Sequence, residues 1–174
     1  MNKLLGYIII TIYLCIVNTV QTYAQSLSDS SATLISEAVN TGFDYRVENL
    51  RNFLEKYDSP LAVYAEEFVV YADTNSLDYR LVPSISGVES TFGKHIPVNS
   101  YNAYGWANGN YSFVSWEDSI AHVSETLKKS YIDKGASTIT KIARRYAPPS
   151  TTWGKNVKFF LGKIDTLPLN FDII

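Results

Sequence analysis

The chain of 174 residues contains one cysteine, Cys15, and two histidines, His95 and His122. One thiol cannot build a disulfide framework or a thiolate metal site. Cys15 also sits inside an apolar run and precedes Ile16 and Val17, a context unlike that of a lipidated cysteine at a polar mature start. Neither histidine has an Asp, Glu or second histidine at metal-ligand spacing, and neither forms a base-and-orienter set around a serine, so no metal and no Ser-His chemistry are expected. Basic residues are scarce as well: 15 Lys and Arg stand against 17 Asp and Glu, a net charge of −2, and the absence of a basic cluster argues against a nucleic-acid partner. No apolar run reaches the 18 or more residues of a spanning helix. What remains is an ordinary globular balance, 46% hydrophobic and 18% charged, sized for one domain with a real core. Aromatics are abundant, with 13 Tyr, 8 Phe and 3 Trp, which suits a tyrosine-rich core or a groove that stacks flat ligand faces.

Lys3 ahead of an apolar run over residues 4–17, followed by Thr22-Tyr23-Ala24, reads as a secretory signal peptide over residues 1–24, with an uncleaved anchor as the alternative. Its removal takes away only Lys3 among the charges and moves the net charge to −3. Residues 25–40 hold Ser26, Ser28, Ser30, Ser31 and Thr33 and read as a Ser/Thr-rich spacer. The folded domain is expected over residues 41–174.

Within that domain the apolar period is helical. Val47, Leu50, Phe53 and Leu54 make one face. Ser59-Pro60 caps a second helix carrying Leu61, Tyr64, Phe68 and Tyr71. A third starts near Asp78, takes Pro83 in its first turns or as a kink, and stops at Gly93. Residues 94–113, rich in Asn, Gly and Pro, read as a long loop or short hairpin. Ser115-Trp116-Glu117-Asp118 is a capping box opening a helix on Trp116, Ile120, Val123, Leu127 and Tyr131. Two further helices follow, one over residues 137–146 closed by Pro148-Pro149, and one capped by Ser150, Thr151 or Thr152 with Trp153, Val157, Phe160, Leu161 and Ile164 on one face. Six short helices predict an all-α domain, α+β at most if the loop forms a small hairpin.

Glu89 is the lone carboxylate of Leu81-Val82-Pro83-Ser84-Ile85-Ser86-Gly87-Val88-Glu89-Ser90-Thr91-Phe92-Gly93. Helical spacing places Leu81, Val82, Ile85 and Phe92 around it, and the partial desolvation this implies would raise its pKa and make it a proton donor near neutral pH. The plainer alternative is a solvent-facing glutamate at a helix end. Ser90 reads as a helix-end hydrogen-bonding residue. Tyr101, Tyr104, Trp106 and Tyr111 are the aromatics that core periodicity explains least, and with Asn99, Asn102 and Asn108 they either line a groove or pin the loop to its scaffold. Glu117, Asp118 and Asp78 are the other acids near these motifs; each sits where a helix-start acid belongs.

Glu-Ser-x-Phe-Gly at a helix end followed by Asn102-Ala103-Tyr104-Gly105 resembles the lysozyme-like superfamily, in particular lytic transglycosylases and family 73 peptidoglycan glucosaminidases. Phe113-Val114-Ser115-Trp116-Glu117-Asp118-Ser119-Ile120 and Tyr146-Ala147-Pro148 resemble further segments of the glucosaminidases, in the same order, so the similarity spans residues 64–164. It implies a compact lysozyme-like domain with one irregular cleft loop and an exported, wall-associated enzyme that cleaves the N-acetylglucosamine/N-acetylmuramic acid backbone. It makes Glu89 the general acid, with Ser90, Tyr101, Asn102, Tyr104, Trp106 and Tyr146 as substrate contacts. The implied partner is the peptidoglycan glycan strand, met by a monomer without cofactor, metal, nucleic acid or stable membrane association once the signal is cleaved. Family 73 enzymes carry a second acid in a longer hairpin after the asparagine loop; here residues 107–112 are short and contain none, which leaves hydrolysis and single-acid transglycosylation both open. A non-catalytic glycan-binding module of the same shape is the alternative.

Overall fold

The computed structural model describes residues 44–165. The expected signal peptide and spacer, and the tail beyond Asp165, lie outside the described residues. From Tyr45 the chain forms six α-helices: α1 (Tyr45–Glu55), α2 (Ala65–Thr74), α3 (Leu81–Ser90), α4 (Trp116–Thr126), α5 (Ile139–Tyr146) and α6 (Trp153–Ile164). There is no strand among the described residues, so the domain is all-α and the loop of residues 94–113 does not form a hairpin. One bond, from Phe113 N–H to the Ser100 carbonyl at 2.9 Å, closes its ends, and a single 3-10 turn (Trp106–Gly109) lies within it. No described helix is long and apolar enough to cross a membrane.

The helices form where apolar spacing and caps agree. Leu50, Phe53 and Leu54 turn α1 onto the core, and Phe68, Val69 and Ala72 do so for α2. Ser115 Oγ accepts the Asp118 N–H at 3.1 Å, while the Asp118 carboxylate closes the cap one residue early, on Val114 N–H at 3.2 Å. Beyond Thr126 the α4 axis continues as a π-helical turn over Leu127–Ile132. Thr138 caps α5 through Lys141 N–H, and Ser150 is the residue that caps α6, accepting Trp153 N–H at 3.1 Å.

Three boundaries differ from the sequence reading. Ser59 does cap, accepting Leu61 N–H at 3.0 Å, but the turn it opens is a 3-10 turn (Ala62–Tyr64), and α2 begins only at Ala65. Helix α3 starts at Leu81, so Pro83 is its third residue, where a missing N–H deprives the helix of no internal bond. The same helix ends at Ser90, because Thr91 and Phe92 already have φ of 54° and 58° and both point their N–H groups at the Ser86 carbonyl. This reversal folds Phe92 back under α3. Its ring lies where a Cβ on Gly87 would approach to 2.5 Å, so only glycine fits there. The ring is fully buried and meets Phe53, Tyr57 and Phe160 at centroid distances of 5.4, 4.6 and 4.9 Å. Burying a side chain of this size contributes about 1.5–3 kcal/mol. The strained exit from α3 is thereby offset, and Glu89 stands one turn before a tightly packed anchor.

Helix α3 packs chiefly against α6, and α5 against α6, which brings the end of α3 and the start of α6 together. That meeting point carries the candidate site.

Candidate active site

Glu89 occupies the last turn of α3 and is exposed as a residue, whereas Leu81, Val82 and Ile85 on the same face are buried. The helix face runs from core to surface, so these residues do not surround the carboxyl group, and Phe92 has turned away beneath Gly87. The desolvating groups come from elsewhere. Trp153 Nε1 donates to Glu89 Oε1 at 2.6 Å, and Oε2 comes to 2.8 Å from the position a Cβ on Gly105 would take. Glu89 therefore has its carboxyl group set between an indole and a loop backbone. Burial of that group pushes its pKa above the ordinary glutamate value, and the Trp153 bond acts in the opposite direction by favouring the charged form.

Trp153 was not among the residues read as functional, because its spacing assigned it to the packing face of α6. It is 4% exposed and does pack, but a buried indole N–H seeks an acceptor, and a tryptophan at the first position of a helix was the available signal. Tyr146 stacks on it, with centroids 4.9 Å apart and planes at 25°, and donates its hydroxyl to the Tyr104 carbonyl at 2.7 Å. Burial, and then the nearby Glu89 charge, push the Tyr146 pKa far up, so its phenol stays protonated. Tyr146 thus stacks on the hydrogen-bond partner of the acid and feels the charge of Glu89. A cleft of about 260 Å³ opens beside this chain of contacts, lined by Tyr104, Gly105, Trp106, Tyr131 and Tyr146 among others.

The loop residues divide sharply. Trp106 is half-buried and lines the cleft. Asn102 was expected to contact sugar, but its amide is 3% exposed and committed to the loop itself: Nδ2 donates to the carbonyls of Trp106 and Tyr111, both at 2.9 Å, and Oδ1 accepts Trp106 N–H at 2.9 Å. Ser90, expected as a contact, is likewise internal. Its Oγ shares a proton between the Ser86 and Ala103 carbonyls and accepts Gly93 N–H at 2.8 Å, tying the end of α3 to the loop. The Tyr104 ring is 1% exposed, so only its backbone reaches the cleft. Tyr101 packs edge-on against Trp116 with centroids 5.4 Å apart, and Tyr111 against Phe113 at 4.8 Å, away from Glu89's hydrogen-bond partners. These residues shape the site; among the expected contacts, Trp106 and Tyr146 present side chains to the cleft.

The other acids have their own partners. Asp78 is paired with Arg80 at 2.6 Å, both side chains being under 7% exposed. Asp118 is the α4 cap, and the charge of Glu117 acts on Tyr64. No carboxylate among the described residues contributes to the shift of Glu89, whose only polar influence is Trp153. A single proton donor is what the arrangement offers.

Gly105 has φ +66° and touches the acid, two reasons for glycine at once. Gly105→Ala is expected to displace the carboxyl group, lowering any activity that depends on Glu89 more than about tenfold and destabilising the fold by about 1–2 kcal/mol. Kinetics and thermal melts on the purified variant check both; unchanged turnover would show that the close approach is immaterial.

No protein-family model matches the chain, and no curated protein sequence matches it.

Proposed function

We propose that the chain is an exported glycosidase with a lysozyme-like domain that cleaves the N-acetylglucosamine/N-acetylmuramic acid backbone of peptidoglycan, with Glu89 as its single general acid. The observation that carries this reading is the Glu89 carboxyl group: raised in pKa, held by Trp153 at 2.6 Å, on an exposed residue and close to Gly105 in the wall of a cleft. The order of short motifs around it supports the substrate class.

Cleavage needs a proton on a poor leaving group and relief of charge on an oxocarbenium-like centre. Protonated Glu89 gives its proton to the glycosidic oxygen as the C–O bond breaks. The Trp153 N–H, already aimed at Oε1, stabilises the carboxylate left behind. With no second carboxylate acting on the site, the substrate's own hydroxyl or acetamido group closes on the electron-poor carbon, and Glu89 takes a proton back. Digestion of purified sacculi followed by mass spectrometry tests this. Anhydro-sugar ends are the expected products; reducing ends would make the enzyme a hydrolase that recruits water, and the absence of soluble fragments would favour a glycan-binding module.

A further inference from the structure

The chain has one stretch rich in cations and free of acids, which qualifies the expectation that it holds no basic cluster. Residues 134–164 hold seven of the chain's 15 Lys and Arg and none of its 17 Asp and Glu, in a protein whose net charge is −2. Helices α5 and α6 enclose a cleft of about 580 Å³ within this segment, larger than the one beside Gly105. Arg144 of α5 and Lys155 and Lys158 of α6 line it, together with Thr140, Ser150 and Thr151. No acidic residue lines it, and none of the three cations forms an ion pair among the described residues. Of the described cations outside this segment, Arg46, Arg51, Arg80, Lys128 and Lys129 pair with carboxylates, and Lys56 and Lys94 stand singly. A concave surface of one sign focuses its field and concentrates anions, and Lys155 and Lys158 share one face of α6 at i, i+3 spacing. Gly154, in the wall of this cleft, directly follows Trp153, so the cleft begins one residue beyond the hydrogen-bond partner of the acid.

We propose that this cleft binds the carboxylate-bearing peptide arms of the glycan strand whose sugar backbone lies at Glu89. The inference rests on the glycan-cleaving reading for the identity of the strand. In a peptide-substituted strand the lactyl carboxyl of each muramic acid is tied up in the amide to its arm, so the negative charge sits on the arms. The Arg144 guanidinium offers a planar fork that matches a carboxylate, and the two ammonium groups hold further charge without geometric demand. Placing an arm here would orient the strand and make cleavage favour substituted over bare glycan.

The test compares the purified wild-type chain with the charge-reversed triple variant Arg144→Glu, Lys155→Glu, Lys158→Glu, whose positions are all exposed. Matching melting temperatures establish the fold, and the neutral variant Lys155→Gln, Lys158→Gln serves where they differ. Binding is measured to sacculi free of phosphate polymers, to N-acetylglucosamine oligomers as an uncharged glycan, to inorganic polyphosphate and to single-stranded DNA. We expect the triple variant to bind intact sacculi about tenfold more weakly at about 50 mM salt, the difference shrinking at about 500 mM, with no difference on N-acetylglucosamine oligomers. Binding of the variant within twofold of wild type on intact sacculi overturns the proposal. So does wild-type binding to polyphosphate or DNA as tight as to sacculi, which would mark the cleft as a phosphate or nucleic-acid site. Cleavage is scored separately: sacculi cut by wild type while charge reversal leaves binding to them unchanged would reject the cleft and keep the enzyme, whereas a charge effect on sacculus binding without cleavage by wild type would reject the enzyme and keep the cleft.

Discussion

Glu89→Gln is expected to lower cleavage of peptidoglycan by about 10²- to 10⁴-fold, the usual worth of a positioned general acid, while leaving the fold intact. Glutamine is nearly the same shape, its Oε1 can still accept the Trp153 N–H, and the residue is exposed, so no core packing is lost. What disappears is the transferable proton. The pH dependence follows from the direction of the shift. Because burial holds the folded-state pKa of Glu89 above its ordinary value, the protonated acid persists to higher pH, and the rate should fall as pH rises through that raised pKa. The same shift has a stability sign. A carboxyl group whose pKa is higher folded than unfolded stabilises the fold fully below the unfolded value, and that contribution is lost as pH rises through the folded value. Glutamine cannot ionise, so above the folded-state pKa of Glu89 the variant should melt at least as high as wild type, and it should lack that segment of pH dependence. Release of soluble fragments against pH, with thermal melts of both proteins, checks this. Activity of the variant within tenfold of wild type would remove Glu89 from the chemistry.

The sequence made the helices legible because each is marked twice, by an apolar face and by an end signal. Helix α4 has Ile120 and Val123 turned inward and Ser115 as its cap, and both signals act locally. Where a boundary depended on distant contacts, the reading failed. The end of α3 at Ser90 is set by Phe92 diving between Phe53, Tyr57 and Phe160, residues 32 or more positions away along the chain, and nothing near Gly93 reveals it. The site divides in the same way. Glu89 stood out because one charge in an apolar stretch is conspicuous, yet its partner Trp153 lies 64 residues away and carries a periodicity that says only "core". Asn102 misled for a different reason: an asparagine that satisfies backbone groups of its own loop has the same local signature as one that faces a ligand. Charge was the least legible. Arg144 precedes Lys155 and Lys158 by more than ten residues, and only the α5–α6 turn sets them around one cleft.

Asp78→Ala is expected to destabilise the domain by about 3 kcal/mol, the lower end of the range for breaking a buried ion pair, with a fall in Tm of about 10 °C. The Arg80 side chain is 3% exposed and meets Asp78 through Nε and Nη2 at 2.8 and 2.6 Å, so removing the carboxylate leaves a charge that burial cannot tolerate alone. The lower end applies because Arg80 keeps a second anchor, donating through Nη1 to the Asp165 carbonyl at 2.9 Å, while Tyr79 donates to the Asp165 carboxylate at 2.9 Å. These bonds join the start of α3 to the end of α6. Since the two helices also meet at Glu89 and Trp153, the pair Asp78–Arg80 closes one end of an α3–α6 clamp whose other end is the site. The effect on activity then separates two roles for Asp78. As a clamp residue its loss should leave turnover within a few-fold of wild type well below the lowered Tm, whereas a second catalytic acid would lose activity at every temperature. Replacing the pair together, Asp78→Leu with Arg80→Met, should recover much of the lost stability, because an apolar pair of similar volume needs no desolvation of charge. Thermal melts and digestion assays on the single and double variants measure both. A single variant that melts within 2 °C of wild type would show that the pair contributes nothing net; a well-folded but inactive one would restore a two-carboxylate mechanism.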